Sequence, residues 1–159
     1  MSVLVVDDAT IMRIVLKDIL EKFCEYPKND IYEAAGGEQA IVQYKRHRPE
    51  LVFLDIGMPD KSGTEVVKEL IEIDPDAKIV MCTASKDRAD VVECVNFGAI
   101  DYIVKPLNTE RVMQIVSKIT GKTFDDEANK SGSNGSGSNK NGSNESQVKY
   151  EHEKPEGKA

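Results

Sequence analysis

Leu51-Val-Phe-Leu-Asp55 decides how the rest of the chain is read. Four apolar residues without polar alternation suit a parallel strand buried on both faces, and reactive groups in open α/β sheets gather just beyond such strands' carboxyl ends. The pattern stands twice more: Val3-Leu-Val-Val6 runs into Asp7-Asp8, and Tyr102-Ile-Val104 runs into Lys105-Pro106. Three acids and one lysine at strand ends can share one crevice.

Between these runs lie amphipathic stretches at helical spacing, such as Ile11, Ile14, Val15 and later Val112, Ile115, Val116, Ile119. The alternation predicts strands over 2–6, 29–34, 50–55, 78–83 and 99–104, and helices over 10–24, 37–47, 63–73, 87–97 and 108–120. Five βα units in this length make a doubly wound α/β domain. Ser62-Gly-Thr-Glu65 fits a capping box at a helix start, and Gly98 fits the left-handed position after a helix end. Pro49 and Pro75 fall between elements, and no sequence period of a repeat array occurs.

The chain has 159 residues, enough for one complete core with an appendage. From Asn129 to Ser146, fifteen of eighteen residues are Gly, Ser or Asn. Such a stretch cannot bury enough apolar surface to offset its ordering entropy, so residues 121–159 are expected to form a disordered tail after a domain spanning 1–120. The charged end, Val148 to Ala159, suits solvated filler first, then a docking peptide or a linker to a further domain.

Residues 1–120 carry 15 Lys and Arg against 21 Asp and Glu, a balance of −6 within the whole chain's −7. No basic stripe is present, which argues against direct nucleic-acid binding. Cys24, Cys82 and Cys94 lack close-pair spacing, so buried reduced thiols are expected and not a zinc site or disulfide framework. No apolar run reaches the roughly 18 residues needed to span a bilayer, and a soluble cytoplasmic protein is expected.

The chemistry rests on the acids. Two like charges about 4 Å apart repel by about 4 kcal/mol at an effective dielectric near 20, so clustering Asp7, Asp8 and Asp55 calls for a cation or raised pKa values. Oxygen donors without a nearby His or Cys suit a hard ion, Mg²⁺ foremost. Each acid alone could merely stop a strand or cap a helix; their coincidence with Lys105 favours a site. Lys105 brings three donors, and the residue before a proline starts from extended backbone. Thr83, closing Lys78-Ile-Val-Met-Cys-Thr83, adds a hydroxyl, although one such Thr is often structural.

With these residues in place, the chain resembles the receiver domains of two-component response regulators, closest in size to stand-alone, chemotaxis-type regulators. The resemblance covers roughly residues 1–120 and rests on Asp7-Asp8, Asp55-Ile-Gly-Met58-Pro59 with Gly63, Thr83-Ala84, and Tyr102-Ile-Val-Lys105-Pro106, in that order. It implies a flavodoxin-like (βα)5 fold with five parallel strands ordered 2-1-3-4-5. It further implies that Asp55 accepts a phosphoryl group from a sensor histidine kinase. Asp8, Asp55 and the Gly57 carbonyl would bind Mg²⁺, with Asp7 supporting the ion directly or through water. Lys105 and the Thr83 hydroxyl would contact the phosphoryl group, making the domain a switch that assists its own charging and resetting and not an enzyme.

Tyr102 occupies the position of the family's switch aromatic, which the resemblance couples to Thr83; a core aromatic on an end strand is the alternative. The surface over 87–120 would present the output to a downstream protein, from a monomer or a phosphorylation-dependent dimer. Gly57 and Ser85 fill positions that vary in the family and influence dephosphorylation, and Leu107 stands where many relatives have Phe. His47 and His152 are expected to be solvated. Two other classes compete. A flavodoxin-like small-ligand module would need phosphate-binding loops, and the chain has neither Gly-x-Gly-x-x-Gly nor a Walker sequence; Gly36-Gly37 is a turn or helix-start signal. An aspartyl-phosphate hydrolase would need the second acid of Asp-x-Asp, where this chain has Gly57.

Overall fold

Each unbroken apolar run forms a strand because its residues are covered on both sides. In the computed structural model, which describes residues 1–84 and 88–124, β1 (Val3–Val6), β3 (Leu51–Asp55) and β4 (Ile79–Thr83) are buried along their whole length. β2 (Ile31–Ala34) and β5 (Asp101–Val104) complete a parallel sheet ordered β2-β1-β3-β4-β5. This is the doubly wound arrangement and strand order expected. The helices are α1 (Thr10–Phe23), α2 (Gly37–His47), α3 (Gly63–Ile73), α4 (Arg88–Asn96) and α5 (Thr109–Thr120).

Strand alternation divides the core into two layers. Val3, Val5 and Phe53 join Leu16, Leu20, Val112 and Val116 beneath α1 and α5. Leu4, Val6, Val52 and Leu54 point the other way, among Tyr44, Val66, Leu70 and Cys94 beneath α2, α3 and α4. With side chains at both faces, the central strands must be apolar at every position, which is why they read as continuous runs.

Local chemistry fixes the joints. Ser62 and Glu65 form the expected capping box at the start of α3. Asn108 caps α5, accepting from the Arg111 N–H at 3.1 Å, and Gly121 ends the same helix in the left-handed region with φ 72°. Gly98, at φ 117°, turns the chain after α4 as expected. Two strand starts differ from the sequence expectation. Lys28–Asp30 coil into a short 3-10 turn after Pro27, so the second strand begins at Ile31; the fifth begins at Asp101, two residues beyond the expected 99.

All three cysteines are buried free thiols, as expected, and burial pushes the Cys24 and Cys82 thiols up to about 12. His47 departs from expectation: its ring is half-buried and stacks on Tyr32, centroids 3.8 Å apart, because the end of α2 lies over the outer strand β2. Phe124 still packs against the layer beneath α1 and α5. The expectations for the tail beyond residue 124, and for Ser85, lie outside the described residues. Among the described residues no helix is long and apolar enough to cross a membrane.

Candidate phosphoacceptor site

The carboxyl ends of β1, β3 and β5 bring the chemistry together. Asp7 follows β1 and is buried, whereas its neighbour Asp8 is exposed, the division expected from alternating side-chain directions. Asp55 closes β3 and is also buried. One carboxylate oxygen from each of Asp7, Asp8 and Asp55 lies within 4.8 Å of the other two.

Lys105 reaches this cluster from 98 residues beyond Asp7 and 50 beyond Asp55. Its Nζ donates to Asp7 Oδ2 at 2.7 Å and to Asp55 Oδ1 at 3.0 Å. The Lys105-Pro106 peptide bond is cis. Asp7 is held from a second side, since the Ala9 N–H donates to its Oδ1 at 2.9 Å. Asp7 therefore orients the lysine, while exposed Asp8 presents its carboxylate to solvent.

The electrostatics follow from burial. Loss of water raises the Asp55 carboxyl above its ordinary value, and the Asp7 charge adds to that; the Lys105 hydrogen bond and charge work against it without cancelling it. Burial likewise opposes the charge on Lys105, but its hydrogen bonds to Asp7 and Asp55 outweigh that cost, leaving the ammonium above its ordinary range. The site is thus a concentrated negative centre with one fixed cation. All three acids offer hard oxygen donors, and Asp8 stands open to water, a donor set that fits Mg²⁺ and not a thiophilic metal.

Thr83 is buried at the end of β4, one residue beyond Cys82, which is in register with Asp55. Its carbonyl accepts from the Lys105 N–H at 2.7 Å, so the two strand ends that carry Thr83 and Lys105 are joined directly. Gly57 lies exposed two residues after Asp55, with open space where a side chain would begin. Tyr102 stands apart from the cluster on β5; the residue is 42% exposed, which excludes the core-aromatic alternative in this conformation.

Two contributors were not visible in the sequence. Arg13 on α1 donates from Nη1 to the Asp7 carbonyl at 2.7 Å and pairs with Glu33 of β2 at 3.4 Å, fixing the backbone beneath the acid pair. Asp60, in the loop after β3, accepts from the Gly37 and Glu38 N–H groups at 3.1 and 3.0 Å. A helix-start acid is a local signal, but this one lies 23 residues from the helix that it caps.

Residues 3–117 match the family model described as the response regulator receiver domain. The chain belongs to the response regulator receiver family. It is 42% identical over 122 residues to the chemotaxis protein CheY of Thermotoga maritima, covering 74% of this chain and 96% of that protein. It is 41% identical over 116 residues to CheY of Bacillus subtilis, covering 73% and 94% respectively. Among solved structures, the CheX–CheY–BeF3–Mg²⁺ complex from Borrelia burgdorferi superposes with a TM-score of 0.67 at 32% identity, covering 76% of this chain and 90% of that one. These relatives make the chain a phosphoaccepting response regulator, and they favour neither the small-ligand module nor the hydrolase.

Proposed function

We propose that Asp55 is the phosphoacceptor of this response regulator, with Asp7, Asp8, Asp55 and the Gly57 carbonyl as the Mg²⁺ site and a sensor histidine kinase as donor. The single observation that carries this reading is the Lys105 bridge between two buried carboxylates, 2.7 Å from Asp7 and 3.0 Å from Asp55, beside the open Asp8. Because Asp7 also holds the ammonium, Lys105 can leave Asp55 for an incoming phosphoryl oxygen without losing its anchor.

In the reaction, an Asp55 carboxylate oxygen forms a bond to phosphorus as the P–N bond to the donor's phosphohistidine breaks. The leaving imidazole takes up a proton, and no oxidant or further reactant is needed. Lys105 turns from Asp55 to the new phosphoryl oxygens and remains anchored by Asp7. Bound Mg²⁺ supplies compensation for charge on the transferring group. Thr83, at the adjoining strand end, offers its hydroxyl to the same oxygens.

The switch reading follows from Tyr102. Tyr102 is exposed on β5, and Val92 and Val95 of α4 and Ile100 just before β5 are exposed as well, so an inward turn coupled to Thr83 would alter the surface that this segment presents. That surface, within 87–120, is the proposed site for a downstream protein, in a cytoplasmic protein that acts as a monomer or as a phosphorylation-dependent dimer. CheX accompanies CheY in the Borrelia complex, and a protein of that kind is a candidate reader here. Incubation with Mg²⁺ and acetyl phosphate should add one phosphoryl mass to the wild type and none to Asp55→Asn; equal labelling of the two would overturn the assignment.

A further inference from the structure

Gly36-Gly37 is not explained by backbone conformation. Gly36 has φ −171° and ψ 171°, extended backbone open to any residue. Its requirement is spatial: a Cβ there would stand 2.8 Å from Asp60 Oδ2 and 2.9 Å from Asp60 Oδ1. A Cβ on Gly37 would meet Lys61 Cβ at 2.7 Å and Val66 Cγ2 at 2.8 Å. The two glycines open a slot through which the loop after β3 leans onto the start of α2.

The contacts through that slot are specific. Asp60 accepts from both the Gly37 and the Glu38 amides, a favourable place for a carboxylate at a helix start. Next to it, Lys61 pairs with Glu38 of α2 at 2.9 Å and with Glu69 of α3. Asp60 and Lys61 therefore tie one loop to two helices.

This loop matters because it begins at Asp55 and contains Gly57. Its inner limb is held by the buried Met58 side chain and by the Gly63 N–H, which donates to the Ile56 carbonyl at 2.8 Å. Its outer limb is exposed at Pro59 and Asp60, and the grip on α2 is what anchors it there. Groups that orient ligating residues without touching the ion set much of a site's affinity.

We propose that Asp60, docked on the amides of Gly37 and Glu38 through the slot left by Gly36, is a positioning residue that holds the Gly57 segment against Asp55 for Mg²⁺ binding. This rests on the reading of the crevice as a Mg²⁺-dependent phosphoacceptor site. Asp60 touches neither the ion nor the phosphoryl group; it acts through the loop.

The test is Mg²⁺ titration by calorimetry on the full chain, with phosphorylation by acetyl phosphate measured at limiting and saturating Mg²⁺. Asp60→Ala should weaken Mg²⁺ binding by about 10-fold. Asp60→Asn, which keeps one acceptor, should fall between it and the wild type. Gly36→Ala should weaken binding as well, because its Cβ displaces the carboxylate. The Gly36→Ala/Asp60→Ala pair should be no weaker than Asp60→Ala alone, since the clashing partner is gone. Phosphorylation in Asp60→Ala should slow at limiting Mg²⁺ and recover at saturation.

Wild-type Mg²⁺ affinity in Asp60→Ala overturns the proposal, as does a rate loss that saturating Mg²⁺ does not restore. Should Asp60→Ala fail to fold, unchanged affinity in Asp60→Asn and Gly36→Ala overturns it equally. A wild type that binds no Mg²⁺ brings down the underlying site reading as well. Labelling that still depends on Asp55, with Mg²⁺ affinity indifferent to Asp60, removes the clasp and leaves the site standing.

Discussion

The crevice and the outer edge of the same sheet are built on opposite terms. At the crevice, Asp7, Asp55 and Thr83 are polar side chains buried at the ends of fully covered strands, and the two carboxylates share the Lys105 ammonium. At the edge, β5 is only partly covered, and Val92, Val95, Ile100 and Tyr102 leave apolar surface in solvent. The crevice accepts an electrostatic cost in return for reactivity; the edge leaves hydrophobic area uncovered, and the proposed partner surface lies there. Lys105 connects the two, since it lies just past β5 and ends among the acids of β1 and β3.

The sharpest way to separate the regions is to remove charge at one and bulk at the other. Asp55→Asn should lower phosphoryl labelling by at least about 100-fold, read by intact-protein mass, because the nucleophile is gone. Tyr102→Ala should label at the wild-type rate, yet lose phosphorylation-dependent partner capture. If Tyr102→Ala also stopped labelling, the two regions would not be distinct.

Stability gives the next contrast. Lys105→Met leaves Asp7 and Asp55 buried together without their cation and should cost about 3–5 kcal/mol in Mg²⁺-free urea titrations. Added Mg²⁺ should return part of that loss by binding the folded state alone. An unchanged midpoint would mean that the bridge carries no structural weight.

Asp55→Asn should do the reverse and stabilise the protein by about 0.5–2 kcal/mol, since a strained functional charge is replaced by a neutral isostere. The pH dependence has a definite sign. Folding raises the Asp55 carboxyl above 3.8, so the folded state binds more protons than the unfolded state in the window above that value. This group's contribution to stability is therefore lost as pH rises through its folded pKa. Thermal melts of wild type and Asp55→Asn should diverge as pH rises from acid, and parallel curves would contradict the burial argument. The smallest effect belongs to the edge, where Tyr102→Ala should change unfolding free energy by about 0.5 kcal/mol or less.

The fold was legible because the central strands are buried twice over, which forces a sequence signal that turns and helices cannot imitate. The second and fifth strands lie at the sheet's edges, and there the same signal weakens. The pattern extends the second strand over residues 29 and 30, where a 3-10 turn follows Pro27, and the fifth over 99 and 100, where the chain is still turning after Gly98. The acids and Lys105 were legible because each stands directly after an apolar run. Arg13 and Asp60 were not, because their partners are set by how loops and helices meet, at separations that no local spacing records. The His47 stack is hidden from the sequence for the same reason, since Tyr32 reaches it only once α2 lies over the outer strand.

Under the proposed function, chemistry at the buried crevice changes the exposed edge. Hydrogen-deuterium exchange with and without Mg²⁺ and beryllofluoride, on wild type and Asp55→Asn, tests it most directly. Altered protection across α4 and β5, including Tyr102, is expected in the wild type alone, with β1 and β3 unchanged. Changes confined to the crevice, or an equal response from Asp55→Asn, would contradict it.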